Sequence, residues 1–480
     1  MEKSSSPSSH NPQAADHPPV RRLVKLAPLS FSLGMSSHET SESIYAATPL
    51  RTHFSPQAAE ELITTVRRFP FTAQVDLQQT LDELFGSLAG TRLIGVHSQN
   101  QHETLSIAGI LARSQYMPQI GPLKYEEIDT GEDAPQRCLV LGLWLAESDG
   151  LRFALVLTPV RKYGERSGIQ IEIAVLPGEA GAALSLRFLR EIDLRVQAGR
   201  TYRGKILSLE GEDRAVRARV HRLRTVRRED VILPDATLAL LDRNITGFVR
   251  QRERLRNLGL PAKKGILFHG APGTGKTHTL HYLAARLPGH TTMLITAAQV
   301  GMLPEYLRVA RLLQPSLVVL EDVDLIARAR ENMRSACEES LLNYLLNEMD
   351  GLREDAEIIF ILTTNRPEDL EEAIAARPGR IDQAIEFPLP DDAGRAKLAH
   401  LYRVGLEIGD ELIAVIVERT RGCSGAFIKE LMRRTAQYLL EDNASVVTAR
   451  HVEAALEEML FAGGLLNRKL LGAASVNAER

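Results

Sequence analysis

The stretch GAPGTGKT places Gly270, then four residues, then Gly275, Lys276 and Thr277. Glycines at this spacing let the backbone N–H groups of residues 273 to 277 turn inward around an anion. The positive end of a following helix would face the same anion. An apolar GILFH precedes the loop and HTLHYLAARL follows it, which is the strand–loop–helix setting that a phosphate-cradling P-loop needs. In that setting Lys276 neutralises the β- and γ-phosphates of ATP, and Thr277 ligates Mg²⁺. The expected cradle is Gly270, Pro272, Gly273, Thr274, Gly275, Lys276 and Thr277, with His278 adjoining it. His278 and His281 lack companions at metal-ligand spacing and otherwise read as helix-surface residues.

A second group of chemically able residues lies in LVVLEDVDL (317–325). The apolar run reads as a buried strand ending at two acids. Glu321 takes the metal side, sharing Mg²⁺ with Thr277, and Asp322 takes the water-orienting side. The usual order of such a pair is Asp then Glu. The reversal moves a carboxylate by about one C–C bond, and misplaced water can cost about 10²-fold in rate. Slowed turnover is therefore expected rather than none. A shifted alignment, with Asp322 as the metal acid and Val323 next, would lack a base. A second strand, within EIIFILTTNRPEDL (357–370), ends at Asn365, where an amide could touch water or the γ-phosphate. Arg377 and Arg380 follow around a Pro-Gly turn, placed to reach a neighbouring subunit's nucleotide in a ring.

GAPGTGKT, LEDVD, LLNEMDG, TTNRPEDL, ARPGRID and GCSGAFIKEL, in this order, resemble the AAA ATPase family over roughly residues 235–460. The resemblance implies an αβα nucleotide domain, a helical lid, a homo-oligomeric ring (a hexamer) and use of ATP to remodel a protein partner. It implies that Asn365 is the first sensor, that Arg377 and Arg380 are trans-acting fingers, and that Gly425 and Ala426 sit near the adenine. A mitochondrial branch of the family carries the same Glu-Asp order, which implies that the reversed pair is compatible with turnover. A nucleotide-gated scaffold with little hydrolysis is the alternative reading.

The chain departs from the family in other places. The segment 295–315 lacks the aromatic-hydrophobic-glycine tripeptide that grips a threaded chain, and Tyr306, at helical spacing with Leu303 and Val309, reads as packing. No HExxH occurs, so no protease motif accompanies the single P-loop. The charged segment 328–340 could line a pore or be a solvated loop. The arginines of RAVRARVHRLRTVRR (214–228) lack interleaved aromatics for base stacking, and a nucleic-acid role is the lesser reading.

These groups need a scaffold, and the chain of 480 residues is long enough for two to four domains. The expected division is a Ser/Pro-rich disordered tail (1–58), a mixed α/β recognition domain (59–230), a P-loop αβα domain (231–388), a helical lid of about four helices (389–462) and a terminal tail (463–480). Residues 58–69 and 77–90 read as amphipathic helices. Segments 137–147, 151–161, 169–177, 202–211 and 216–224 read as strands, with a hairpin at ESDG, and 185–199 reads as a helix. A net charge of -3 gives no global pull toward nucleic acid or anionic membrane. Three dispersed cysteines argue against a disulfide framework and fit a reducing cytoplasm. The longest apolar run, 138–146, is far short of the roughly 20 residues that a membrane span needs.

Overall fold

The computed structural model describes residues 44–99, 103–113, 117–162, 165–212, 215–325, 345, 347–349, 351, 356–368 and 380–462. Arg377, Cys337, the charged segment 328–340 and the terminal stretches 1–43 and 463–480 lie outside them.

The first part of the chain runs α1 (Ala47–Phe54), β1 (Ile63–Phe69), α2 (Gln74–Gly86), β2 (Arg92–His97), α3 (Ile107–Leu111), β3 (Gln119–Gly121), β4 (Lys124–Ile128), β5 (Gln136–Ser148), β6 (Leu151–Lys162), β7 (Glu165–Val175) and α4 (Glu179–Ala198). Its long strands are apolar on both faces because helices cover both. Trp144, Phe153, Leu155 and Ile171 pack beneath α2 and α4. Leu143, Ala154, Val156 and Ala174 pack beneath α1 and α3. β5 and β6 form the expected hairpin, and Asp149 and Gly150 turn it with φ of 55° and 74°.

The second part begins with the hairpin β8 (Ile206–Glu212) and β9 (Ala215–His221). It continues with α5 (Asp235–Leu241), α6 (Phe248–Asn257), β10 (Lys264–His269), α7 (Lys276–Arg286), β11 (Thr291–Ile295), α8 (Leu303–Leu312), β12 (Ser316–Leu320), β13 (Ile358–Thr364) and β14 (Gln383–Glu386). Strands β14, β10, β13, β12 and β11 lie side by side, all parallel. Such strands are buried on both faces, which explains the unbroken apolar runs. Val318, Leu320 and Phe360 face α8, while Leu317, Val319 and Ile361 face α5 and α7. Four lid helices follow, α9 (Asp392–Tyr402), α10 (Asp410–Arg419), α11 (Gly425–Glu441) and α12 (Ala449–Glu457), around their own core of Ile416, Phe427, Leu431 and Val452. The chain thus forms the expected αβα nucleotide fold with a helical lid, behind a mixed α/β region.

Three expectations need correction. Residues 58–69 are a short 3₁₀ turn (Ala59–Glu61) and then strand β1, not a helix. Ile63, Thr64, Thr65 and Val66 are β-branched or strand-favouring, and β7 offers an open edge that pairs with them from Ile63↔Val175 to Phe69↔Ile169. The tail does not extend to residue 58, because Leu50 and Phe54 of α1 are fully buried in the core. The boundary at 230 does not divide the sheet. β8 pairs in parallel with β11 through Thr292↔Ile206 and Met293↔Leu207, and β9 meets β7 at Arg166↔Ala215. One 14-stranded sheet results, and Leu207 and Leu209 belong to the same core as Met293 and Tyr306.

Candidate functional site: a nucleotide cavity between the P-loop and the lid

β10 stops at His269 and α7 starts at Lys276, so the glycine loop forms the crossing between them. Gly273 and Gly275 adopt φ of 78° and 99°, a left-handed region that favours glycine. A Cβ on Gly273 would lie 2.8 Å from the Ala426 Cβ and the Ser424 Oγ. The loop backbone can therefore sit against the lid only as glycine. The Ala426 N–H donates to the Gly273 carbonyl at 3.1 Å, fixing the first turn of α11 on the loop.

Lys276 is buried, and its ammonium donates to the carbonyls of Gly270 (2.7 Å) and Ala271 (3.1 Å) and to Asn365 Oδ1 (2.8 Å). Burial pushes its pKa below the usual lysine range, and the Asp322 and Asp324 carboxylates oppose that shift. The Thr277 hydroxyl donates to Glu321 Oε1 at 2.7 Å. That contact sets the register of the acids, because Glu321 rather than Asp322 faces the P-loop hydroxyl. Asp322 has φ of 51°, so the chain turns sharply between the two acids and they point to different partners. The Asp322 N–H donates to Thr363 Oγ1 at 3.0 Å, and its carboxylate accepts from Asn365 Nδ2 at 3.0 Å. Lys276, Asn365 and Asp322 thus form one chain of hydrogen bonds, with the Thr277–Glu321 pair beside it.

Sequence reasoning does not single out Asp324, which the structure makes central. It is 4% exposed, and its Oδ1 accepts from Thr364 Oγ1 (3.0 Å) and from the Asn365 N–H (3.1 Å). The signal was present as a third acid, three residues after Glu321, in an otherwise buried turn. Two lid residues also escaped notice, Lys397 and Lys429, which line the same cavity of about 550 Å³ with the P-loop, Asp322 and Asn365. Gly425 and Ala426 line it as well, as does Pro272. His278 lines it and donates from Nε2 to the Asp230 carbonyl at 3.1 Å, tying α7 to the linker. Thr274 is buried, with its hydroxyl donating to Ala271 O at 2.9 Å.

The structure does not bring Arg380 to this cavity. Its carbonyl crowds Gly265, where an added Cβ would lie 2.0 Å away, and Gly265 sits at the opposite end of β10 from the P-loop. Five residues of strand separate Gly265 from Gly270, about 16 Å. Arg377 lies outside the described residues. Tyr306 is fully buried, as packing requires, and its hydroxyl accepts from the Leu209 N–H at 2.6 Å. The basic run is largely paired: Arg217 with Glu126 (3.9 Å), Arg219 with Glu210 (2.9 Å), Arg222 with Asp133 (4.0 Å) and Arg227 with Asp230 (3.0 Å).

The donor set suits magnesium. That ion takes hard oxygens, keeps several waters and commonly uses one or two protein ligands beside substrate phosphates. The Thr277 hydroxyl and the Glu321 carboxylate supply two such oxygens at the mouth of the cradle.

A strand-loop-helix cradle on a parallel sheet, a buried lysine and a hydroxyl-facing acid define a P-loop nucleotide-binding protein. Residues 266–389 match the family described as ATPase family associated with various cellular activities (AAA), so the chain carries an AAA domain over those residues. It is 30% identical over 240 residues to an ATP-dependent zinc metalloprotease FtsH of Lachnoclostridium phytofermentans, covering 48% of this chain and 41% of the relative. It is 28% identical over 222 residues to a proteasome-activating nucleotidase of Methanosphaerula palustris, covering 44% and 54%. It is 31% identical over 244 residues to a 26S proteasome regulatory subunit 8 homolog of Encephalitozoon cuniculi, covering 46% and 60%. The chain spans about half the length of these relatives. No helix among the described residues is long and apolar enough to cross a membrane.

Proposed function

We propose that the chain hydrolyses ATP in a homo-oligomeric ring, a hexamer, and uses the energy to remodel a protein partner. The observation that carries this reading is the pair of adjacent hydrogen-bonded groups, Thr277–Glu321 and Lys276–Asn365–Asp322, with distances of 2.7–3.0 Å. Lys276 and the loop amides of residues 273 to 277 bind the phosphates of ATP. Thr277 and Glu321 would hold Mg²⁺, which would supply positive charge to offset that of the phosphates. Asp322 accepts the proton of the attacking water, and Asn365 orients that water. Oxygen from the water bonds to the γ-phosphorus, the bond to the β–γ bridging oxygen breaks, and ADP and phosphate leave. Asp324 acts one step back, holding the Asn365 backbone where its amide meets both Lys276 and Asp322. The position of Arg380, far from its own P-loop, supports a role on the neighbouring subunit's nucleotide. Arg377 is proposed for the same role. The protein partner rests on the relatives' names, two of which are proteasomal.

Steady-state Mg²⁺-ATP hydrolysis over a concentration series tests the reading. The rate per subunit should rise with concentration. Asp322→Asn should lower the rate at least about tenfold with ATP still bound, and Arg380→Ala should lower it about 10³-fold. ATP binding without hydrolysis in the wild-type chain would instead support the nucleotide-gated scaffold.

A further inference from the structure

The seam between the two regions of the sheet holds cavities that the nucleotide site does not use. β9 and β7 pair there at one position among the described residues, Arg166↔Ala215. The 3₁₀ turn Phe71–Ala73, which follows β1, lies against both strands. Beside that turn, a cavity of about 350 Å³ adjoins α8 and another of about 320 Å³ adjoins β4. Phe71, Thr72 and Arg166 line both. Ligand sites favour such junctions and span about 300–1,000 Å³, so an occupant here is small.

The cavity beside β4 answers its own charges. Glu126 takes Arg166 at 3.1 Å and Arg217 at 3.9 Å, and Glu210 takes Arg219 at 2.9 Å. The cavity beside α8 does not. Phe71, Leu209 and Val309 give it an apolar wall. Glu305 and Arg308 line it too, three residues apart on α8, where such a pair would ordinarily meet. They form no ion pair with each other, and neither has another partner among the described residues. A third open group is the Thr72 hydroxyl. Thr72 is 4% exposed, and its oxygen has no hydrogen-bond partner among the described residues. A buried hydroxyl left so is costly, which favours a ligand atom that meets it. One anion, one cation and a hydroxyl beside an apolar wall match a small zwitterion with an apolar side chain.

We propose that the cavity beside α8 binds a free α-amino acid with an apolar side chain. Arg308 and the Thr72 hydroxyl donate to its carboxylate, Glu305 accepts from its ammonium, and Phe71, Leu209 and Val309 receive its side chain. Both ligand charges need an answer, because a charge taken out of water without a partner opposes binding. Thr72 comes from the first region, Leu209 from the β8–β9 hairpin, and Glu305 and Arg308 from α8, so the occupant bridges three elements and stabilises the seam by mass action. This site stands apart from the nucleotide reading and does not depend on it.

The test is calorimetric titration of the full chain with L-leucine and L-phenylalanine. The comparators are 4-methylpentanoate and 3-phenylpropanoate, which lack the ammonium, and the two amino-acid amides, which lack the carboxylate. At least one amino acid should bind at about millimolar affinity or better, and its comparators about tenfold more weakly. Glu305→Gln and Arg308→Gln should each cost about tenfold, and Thr72→Val less. Melting of each variant without ligand shows that the seam stays folded. Failure of both amino acids to bind below about 10 mM overturns the inference. So does an equal affinity for an amino acid and either of its comparators, or an unchanged affinity in Glu305→Gln or Arg308→Gln.

Discussion

Two strand-to-helix crossings leave the same edge of the parallel sheet and meet opposite fates. The crossing from β10 to α7 is built of glycines, two of them left-handed, and opens its backbone to a cavity. The crossing from β11 to α8 is a tight 3₁₀ turn over Ala297–Met302, closed by a capping box between Thr296 and Gln299. Its polar groups are spent on the neighbouring hairpin. Gln299 Nε2 donates to the Leu209 carbonyl at 3.1 Å, and Tyr306 takes the Leu209 N–H. One crossing presents donors to an anion, and the other braces β8. The fold supplies the position of both, while side-chain bulk and the presence of a neighbouring strand decide which becomes a binding site.

Replacing Lys276 should break the open crossing most severely. Lys276→Ala is expected to weaken ATP binding about 100-fold, since it removes a buried charge that faces the phosphates. The wild type carries a pH counterpart. Burial disfavours the Lys276 ammonium, so the proton leaves at a lower pH than from a solvated lysine. A bound anion favours the ammonium, so binding takes up a proton there. ATP affinity should therefore fall as pH rises, starting below the ordinary lysine range. Nucleotide titrations across alkaline pH check both statements.

A smaller effect separates binding from positioning. Asp324→Asn keeps the shape of the side chain but removes the charge that accepts from Thr364 and from the Asn365 N–H. The expected result is about a tenfold lower kcat with little change in KM, because Asn365 is misplaced while the P-loop is intact. Equal changes in both constants would instead mean that the loop itself had moved.

The braced crossing should answer only in stability. Burial pushes the Tyr306 pKa up to about 12, so its hydroxyl stays neutral, and it satisfies a buried N–H. Tyr306→Phe leaves that N–H without its partner and should lower unfolding free energy by about 1–3 kcal/mol. ATP affinity should be unchanged. Urea denaturation with and without nucleotide measures both, and a matching loss of ATP affinity would show that the two crossings are coupled through β11.

Local pattern carried much of this molecule. The eight residues from Gly270 to Thr277 specify their own loop, because the turn, the lysine and the hydroxyl are all within one crossing. The apolar runs 317–320 and 358–362 announce buried parallel strands, since both faces are covered. Hydrophobic content alone misread residues 58–69. Glu60, Glu61 and the apolar residues near them fit a helical period, but the open edge of β7, about 100 residues later, made a strand of them. The sequence favoured Glu321 over Asp322 for the metal side, and in the structure the left-handed turn at Asp322 leaves Glu321 on the Thr277 hydroxyl while Asp322 meets Thr363 and Asn365.

By itself the sequence determined the phosphate cradle, the strand carrying the acids and the helical lid, because each depends on contacts within one or two turns of chain. Only the tertiary structure decided that Asp324 holds Asn365, that the first turn of α11 meets the P-loop, and that β8 joins two regions into one sheet. Those outcomes depend on partners from 41 to 153 residues apart, and no local pattern of charge or hydrophobicity fixes which distant segment arrives.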